Sequence, residues 1–153
     1  MKSIISMVLL VLSIAGAKND SARDALTDIM NSVGCDCERM EIVDVTADNC
    51  YVLALDEEDF VSVRTAAVAS GNDGSRRALI FASDKKAARR LYDNMWKNFE
   101  FPACDISEAI VFLRFGDAVA FFKGSDTDVE AYCRAFGEAF GAEAMKIIKN
   151  PAK

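Results

Sequence analysis

The sequence predicts an α+β domain in which a four-stranded antiparallel sheet is built from two strand-strand-helix units and is covered by an N-terminal helix. Three observations lead to this fold class. The chain has 153 residues, 52% of them hydrophobic, which is enough for one domain with one core. Strand and helix patterns follow one another twice with the same spacing, and an amphipathic helix precedes them. We expect residues 1–17 to be a signal peptide and residues 18–153 to form a single domain.

The opening segment has the three parts of a secretory signal. Lys2 gives a positive start, residues 4–15 are apolar apart from two serines, and Ala15-Gly16-Ala17 supplies the small residues of a cleavage site. The apolar stretch is shorter than the roughly 20 residues that a stable membrane span needs. A buried N-terminal helix is the alternative, but such a helix normally keeps a polar stripe. We therefore predict cleavage after Ala17 and a location outside the cytoplasmic membrane.

The first helix of the domain is predicted over residues 22–33. A Ser-x-x-Asp sequence marks its start, an apolar stripe follows at helical spacing, and Gly34 ends it. Residues 40–45 are a short strand candidate, whereas residues 46–55 give an ambiguous pattern.

A strand, a strand and a helix then occur twice along the chain. A Ser-Asp pair caps the helix of each unit, at Ser83-Asp84 and again 42 residues later at Ser125-Asp126. The later strands are nearly continuous apolar runs, which indicates that both faces of the sheet are covered. We expect the two later helices on one face and the first helix on the other. The strands are predicted over residues 60–69, 78–82, 109–115 and 118–123, and the helices over residues 84–99 and 126–140.

The composition excludes several kinds of function. Because the chain has no histidine, Ser-His-Asp and Cys-His nucleophile systems, HExxH zinc sites and histidine general bases are all ruled out. A net charge of -6 argues against nucleic acid as a partner, since nucleic acids favour clustered Lys and Arg. Asp56 and Asp59 could act as acid and base, but adjacent charges on a loop are usually solvated, and we predict a solvated turn here. We predict no enzymatic activity.

The five cysteines are an odd number, so at least one thiol must be unpaired, and their scatter does not form a regular disulfide framework. Cys35 and Cys37 could bind a soft metal with Cys50 or Cys104. Zinc sites, however, favour four ligands at recognisable spacing. We predict no metal and no other cofactor. Cys133 lies at an apolar helical position and is predicted to be a buried, unpaired core residue.

Two arginines at the first hairpin, Arg76 and Arg77, are the candidate binding residues. Together with the helix start at Ser83 they could hold an anionic ligand, because arginine offers forked donors and a helix start offers free amides. The alternative is that they are surface charges that offset the 24 acidic residues. Tyr92 and Trp96 could form an aromatic shelf for a ligand, but packing against the sheet is the simpler interpretation.

Four stretches of the chain carry a resemblance to known proteins. They are the opening segment, YVLALDEEDF at 51–60, DGSRRALIFASDKKAARRLYDNM at 73–95 and AIVFLRFGDAVAFFKGSDTD at 109–128. Together they resemble a family of small exported bacterial proteins and lipoproteins from Gram-positive anaerobes, classed as a domain of unknown function. Lipoprotein members carry a lipid-bearing cysteine where this chain has Ala17, so the resemblance implies export without that lipid anchor. It implies no site residues.

The sequence thus predicts an exported, non-enzymatic domain without a stable membrane span. We expect it to bind a protein or a small molecule through a sheet edge or the hairpin loop at 70–77. One alternative is a structural subunit that pairs through its sheet edges, for example in a homodimer. The other is an enzyme that uses carboxylate, arginine or thiol groups.

Overall fold

The computed structural model describes residues 21–34 and 40–153 of the chain. The signal peptide predicted over residues 1–17 and the cysteines Cys35 and Cys37 lie outside the described residues. In chain order the elements are α1 (Ala22–Val33), β1 (Glu41–Asp44), a 3-10 helix (Ala47–Leu53), α2 (Glu57–Phe60), β2 (Val63–Ser70), β3 (Arg76–Ala82), α3 (Lys85–Asn98), β4 (Ala109–Phe115), β5 (Ala118–Gly124), α4 (Asp126–Ala139) and β6 (Ala144–Lys149).

The strands form one sheet in the order β1-β2-β3-β5-β4-β6, and each neighbouring pair is antiparallel. The predicted four-stranded sheet is therefore wrong, because two further strands extend it at its edges. β1 pairs with β2, and β6 pairs with β4 along its whole length. The four predicted strands form the centre of a six-stranded sheet, and the α+β class is confirmed.

The two later helices lie on opposite faces of the sheet, so the prediction that they share one face is wrong. α3 packs on the face that includes Ile80 and Phe112, whereas α4 packs with α1 on the face that includes Leu79 and Phe122. The connections explain this. α3 leads from β3 to β4 and α4 leads from β5 to β6, and both step over one strand in the same direction across the sheet. Because β3 and β5 run in opposite directions, crossovers of the same hand must place their helices on opposite faces.

Helices on both sides leave the central strands without a solvent face. All residues from Ala109 to Leu113 and from Ala118 to Phe122 are buried, which confirms that these apolar runs are covered on both faces. On the α3 face the 3-10 helix completes the cover with the buried residues Cys50 and Leu53. Tyr92 is buried in this layer, as its packing interpretation predicted.

The helices begin and end where their capping residues predict. The Asp84 carboxylate accepts a hydrogen bond from the Ala87 amide at 2.7 Å, and the Ser125 hydroxyl accepts one from the Asp128 amide at 3.1 Å. Gly34 ends α1 in the left-handed conformation with φ 75. The acidic run at 56–59 is exposed but largely helical, because Asp56 caps α2. A plain solvated turn is therefore not what the structure shows.

Cys133 is a free thiol, but it is half-buried and not buried as predicted. It lies on α4 toward β6, the edge of the sheet that this helix leaves partly open. Its sulfur contacts the sulfur of Met145 at 3.3 Å, and Met145 is itself 54% exposed. The apolar helical pattern is present, but in the described part of the chain no further element covers this end of the layer.

Candidate functional site

A cleft lies at the end of the sheet where β3 begins and β5 ends. Arg76 and Lys123 are direct partners on these neighbouring strands. Two cavities meet beside them and share both residues together with Pro102. We call them the aromatic compartment, of about 340 Å³, and the polar compartment, of about 390 Å³. The first is lined by Tyr51, Val52, Ala54, Asn98, Phe99, Glu100, Ile110, Phe112 and Phe121, and the second by Asn72, Asp73, Gly74, Cys104, Asp105 and Ile106.

Three rings form the apolar part of the aromatic compartment. Phe112 and Phe121 are buried side chains of adjacent strands, with ring centroids 5.9 Å apart. Phe99 follows α3 and meets Phe112 edge-on at 5.7 Å. Tyr51 is 74% exposed beside them. Phe99 and Tyr51, which are partly or largely exposed, therefore offer an apolar surface on which a flat or aliphatic group can pack, with the buried Phe112 and Phe121 behind them.

Two cations, Arg76 and Lys123, line both compartments, and Arg76 is the one that can bind a ligand. Its Nη1 donates a hydrogen bond to the Val52 carbonyl at 3.3 Å. Among the described residues, the ion pairs of the protein leave Arg76 without a carboxylate partner. A half-buried guanidinium that no carboxylate neutralises can bind an incoming anion through its remaining donors.

Arg77 does not share this site. Successive side chains of a strand point to opposite faces, and Arg77 lies on the α4 side, where its guanidinium stacks on the Tyr132 ring at 5.0 Å. It is only 6% exposed and its Nη1 donates to the Ser75 hydroxyl at 2.8 Å. The structure therefore gives Arg77 a packing role next to the hairpin loop and places it away from the cleft.

Ser83, the third residue of the predicted anion site, lies at the far end of β3. It lies seven positions after Arg76 along extended chain, a span of about 23 Å. Its amide donates to the Ser62 carbonyl at 2.9 Å. The structure therefore brings neither Arg77 nor Ser83 to the ligand-accessible side of Arg76.

A hydrogen-bonded chain fixes the hairpin loop at the mouth of the polar compartment. Ser75 donates from its hydroxyl to Asp73 Oδ1 at 2.6 Å and from its amide to the same oxygen at 3.0 Å. Both bonds lower the pKa of Asp73, and the bond from the hydroxyl has the larger effect. Arg77 holds Ser75 from behind. Gly74 has φ +85, and a side chain there would point toward Asp105, so the loop approaches the opposite wall closely.

The opposite wall is the segment between α3 and β4, and a buried ion pair holds it. Lys123 Nζ lies 2.5 Å from Asp105 Oδ2, with the two side chains only 10% and 4% exposed. Asp105 Oδ1 also accepts a hydrogen bond from the Ser107 amide at 2.9 Å. Burial raises the pKa of Asp105, but the hydrogen bonds from Lys123 and Ser107 outweigh it, so the net pKa lies below its ordinary value.

Asn150, near the end of the chain, secures the same wall. Its side-chain amide donates to the carbonyls of Asp105 at 3.1 Å and Ser107 at 2.8 Å, and the residue is 4% exposed. The cleft therefore has a wall fixed by buried polar contacts on one side and a hydrogen-bonded loop on the other. A site built in this way is pre-organised for binding.

The cleft offers binding groups, and a thiol, but no cluster of metal ligands. Over residues 21–34 and 40–153, no group of three or more His, Cys, Asp or Glu side chains could hold a metal ion. Cys104 lines the polar compartment as an exposed free thiol. Cys50, the other cysteine considered with it for a soft metal, is buried in the α3 layer.

The sequence interpretation included Arg76 and the hairpin loop at 70–77 but missed the rest of the cleft. Lys123 and Asp105 lie 18 residues apart, and only the fold brings them together. The sequence did carry a signal for Lys123, because this lysine directly follows the apolar run at 118–122. A charged residue at the end of a buried strand is a candidate for a polar contact at the edge of the core. The phenylalanines gave no such signal, since core and ligand-lining rings have the same pattern in a sequence.

Comparison with known proteins gives no match to a protein-family model, a curated protein or a solved structure. The resemblance to small exported proteins therefore stays a prediction. No helix in the described part of the chain has the length and apolar character needed to cross a membrane.

Proposed function

We propose that this chain is an exported, non-enzymatic domain that binds a small molecule with an apolar body and an anionic group. The anionic group binds Arg76, and the apolar body packs in the aromatic compartment. One observation carries this proposal: the guanidinium of Arg76 lies between two cavities, beside three phenylalanine rings, without a carboxylate partner among the described residues. The hairpin loop expected to bind a ligand is one wall of the same cleft.

The size and polarity of the cleft support a small ligand. Ligand pockets commonly measure about 300–1,000 Å³ and combine an apolar lining with a few placed polar groups. Both compartments fall in that range. A hydrogen bond to a charged group contributes about 1.5–3 kcal/mol, so Arg76 should supply about 10- to 150-fold of the affinity for an anion.

Calorimetric titration with simple amphipathic anions tests the proposal. 3-Phenylpropionate, octanoate and phenyl phosphate each combine an apolar body with one anionic group. We expect saturable binding of at least one of them, weakened about 10-fold or more by Arg76→Gln. Arg89→Gln is the matched control, because it removes the same charge from the exposed side of α3. Absence of saturable binding, or equal weakening by both substitutions, would overturn the proposal.

Cys104 allows the position of the ligand to be checked. It is an exposed free thiol in the polar compartment, whereas Cys50 is buried elsewhere. Bound probe should slow alkylation of Cys104 while leaving the other labelled peptides unchanged, as read by peptide mass spectrometry. If saturating probe leaves the Cys104 rate unaltered, the ligand does not enter the polar compartment.

Export is supported by the opening segment alone, and its chemistry can be tested directly. Intact mass of the protein from its native host should show a chain that begins at Lys18 with an unmodified amine. Ala17→Cys should restore the thiol that lipid transfer requires, and the product should become membrane-held, because a diacylglyceryl group is a firm anchor. Met1 retained on a cytosolic pool, or lipid on the unaltered chain, would contradict export by a simple cleaved signal.

A structural subunit remains the second candidate, because β6 is an edge strand with an apolar surface. Met145 and Ile147 are 54% and 45% exposed on its α4 side. Unpaired strand edges are common sites of pairing with another chain. Sedimentation analysis over a range of concentrations should show a monomer for the ligand-binding domain and a concentration-dependent dimer for a subunit that pairs through this edge.

A further inference from the structure

We infer that the ligand is a free α-amino acid with an aromatic or large apolar side chain. In this arrangement its carboxylate binds Arg76, its ammonium group binds Asp73, and its side chain fills the aromatic compartment. The inference rests on the proposed function, since it names the class of molecule for the same cleft. It adds a second charged contact that the sequence did not indicate.

The balance of charges in the cleft supports a ligand of both signs. Of the residues that the structure describes, five with charged side chains line the two compartments: Arg76, Lys123, Asp73, Asp105 and Glu100. Lys123 and Asp105 form the buried pair and neutralise one another. One cation, Arg76, and two carboxylates then remain for a ligand. A molecule with a single negative charge would pair with Arg76 only, whereas the ammonium group of a zwitterion also pairs with a carboxylate.

Of the two remaining carboxylates, Asp73 is the one held in place. Both of its hydrogen bonds from Ser75 go to Oδ1, so Oδ2 is available to accept a bond from an ammonium group. Those bonds also favour its ionised form. Among the described residues, no Lys or Arg forms an ion pair with it, although the positive charge of Arg77 behind the loop also lowers its pKa. A fixed carboxylate loses little entropy when a ligand binds.

The chain places the two contacts on the same wall of the cleft. Asp73 lies in the hairpin loop and Arg76 is the first residue of β3, three positions later, and both line the polar compartment. An α-amino acid carries its ammonium and carboxylate on one carbon, so two charged partners close in space suit it. Arg76 also lines the aromatic compartment, where Phe99, Phe112 and Phe121 can receive the side chain.

Three probes with the same phenyl body separate the contributions of the two charges. L-Phenylalanine carries both charges, 3-phenylpropionate carries only the carboxylate, and 2-phenylethylamine carries only the ammonium group. Titration of the full chain should give the tightest binding for L-phenylalanine, about 10-fold or more tighter than for either single-charge probe. Glycine, a zwitterion with no side chain, should bind far more weakly than L-phenylalanine.

Substitutions assign each charge to its residue. Asp73→Asn keeps the oxygen that accepts from Ser75, so the loop should fold unchanged, and an unchanged Tm verifies this. It should remove the advantage of L-phenylalanine over 3-phenylpropionate while leaving 3-phenylpropionate binding intact. Arg76→Gln should weaken both. Glu100→Gln removes the other carboxylate of the cleft and should leave the advantage of L-phenylalanine in place. Glu138→Gln is the matched control, because it removes the same charge from the exposed side of α4, outside the cleft.

The outcomes distinguish this inference from the proposed function. Equal binding of L-phenylalanine and 3-phenylpropionate to the unaltered chain would overturn the zwitterion and leave the anion-binding cleft in place. Loss of the L-phenylalanine advantage in Glu100→Gln and not in Asp73→Asn would overturn the assignment to Asp73. If none of the anionic probes binds, the proposed function itself fails.

Discussion

The buried ion pair between Lys123 and Asp105 makes a prediction about stability. Asp105→Asn removes the negative charge but keeps an oxygen that can accept the hydrogen bond from the Ser107 amide at 2.9 Å. The change therefore isolates the ion pair from the rest of the wall. It leaves the Lys123 ammonium group, on a side chain only 10% exposed, without a counter-charge. Arg76, its direct partner on the neighbouring strand, adds a like charge nearby.

The expected loss of unfolding free energy is about 3 kcal/mol. Removing one partner of a buried pair costs about 3–5 kcal/mol, because the other charge is left buried and unpaired. The lower end applies here, since the lysine stem can move its ammonium group toward solvent in the open cleft. For a protein of this size the change corresponds to a Tm lowered by about 6–12 °C.

Asp117→Asn is the matched control for this substitution. Asp117 forms an ion pair with Arg64 at 3.2 Å, but these side chains are 45% and 46% exposed. Exposed pairs contribute about 0–1 kcal/mol, so this variant should lose far less stability. Urea titration followed by circular dichroism measures both. Equal losses in the two variants would refute the argument from burial.

The same pair predicts a dependence of stability on pH. The folded pKa of Asp105 lies below its ordinary value of 3.8, so the pair stabilises the fold above that value. The contribution is lost as pH falls through the lowered folded pKa. The unaltered chain should therefore lose stability more steeply than Asp105→Asn below about pH 4. If the stability of the two chains falls in parallel as pH is lowered, Lys123 and Ser107 do not lower the pKa of Asp105 as inferred.

Two further predictions concern the turn before β6 and the thiols. Gly141→Ala should cost about 1–3 kcal/mol, because Gly141 has φ +106 and a side chain would meet the Phe115 ring at 2.8 Å. Gly116→Ala, at φ +59 in open space, should cost about 1 kcal/mol, and a larger loss there than at Gly141 in urea titration would contradict the reasoning. Native alkylation should label Cys104 faster than Cys133, because burial raises the pKa of the Cys133 thiol and limits access. A faster rate for Cys133 would show that the edge beside β6 is more open than its packing indicates.

The elements with strong periodic patterns could be predicted from the sequence, and the short strand candidate at 40–45 is confirmed as the edge strand β1. The other edge strand, β6, was not predicted. α1 occurs where its apolar stripe predicts, with Ala25, Leu26 and Ile29 buried. β6 was missed because it is short and buries little: Met145 and Ile147 are exposed, and the apolar-charged alternation ends after three residues, where Ile148 follows Ile147. An edge strand is held mainly by backbone hydrogen bonds to its neighbour, which leave no trace in side-chain polarity.

The prediction of which face of the sheet each helix covers depended on β6, the strand that was not predicted. Without β6, α4 has no crossover to make, and nothing in the sequence decides which side of the sheet it covers. With β6 in place, α4 connects two strands that point the same way, and the rule for the hand of such connections applies. An omission of six residues at the end of the domain thus changed the predicted position of a helix of 14 residues.

The candidate site shows how a boundary error of two residues alters a functional interpretation. The sequence placed Arg76 and Arg77 in the hairpin loop, where adjacent side chains can converge on one ligand. In the structure β3 begins at Arg76, so the period of two in a strand sends the arginines to opposite faces. Arg77 meets the Tyr132 ring and Ser75 and holds the loop, whereas Arg76 faces the cleft. The same side-chain chemistry therefore serves packing at one position and is free for a ligand at the next, and the fold alone decides between them.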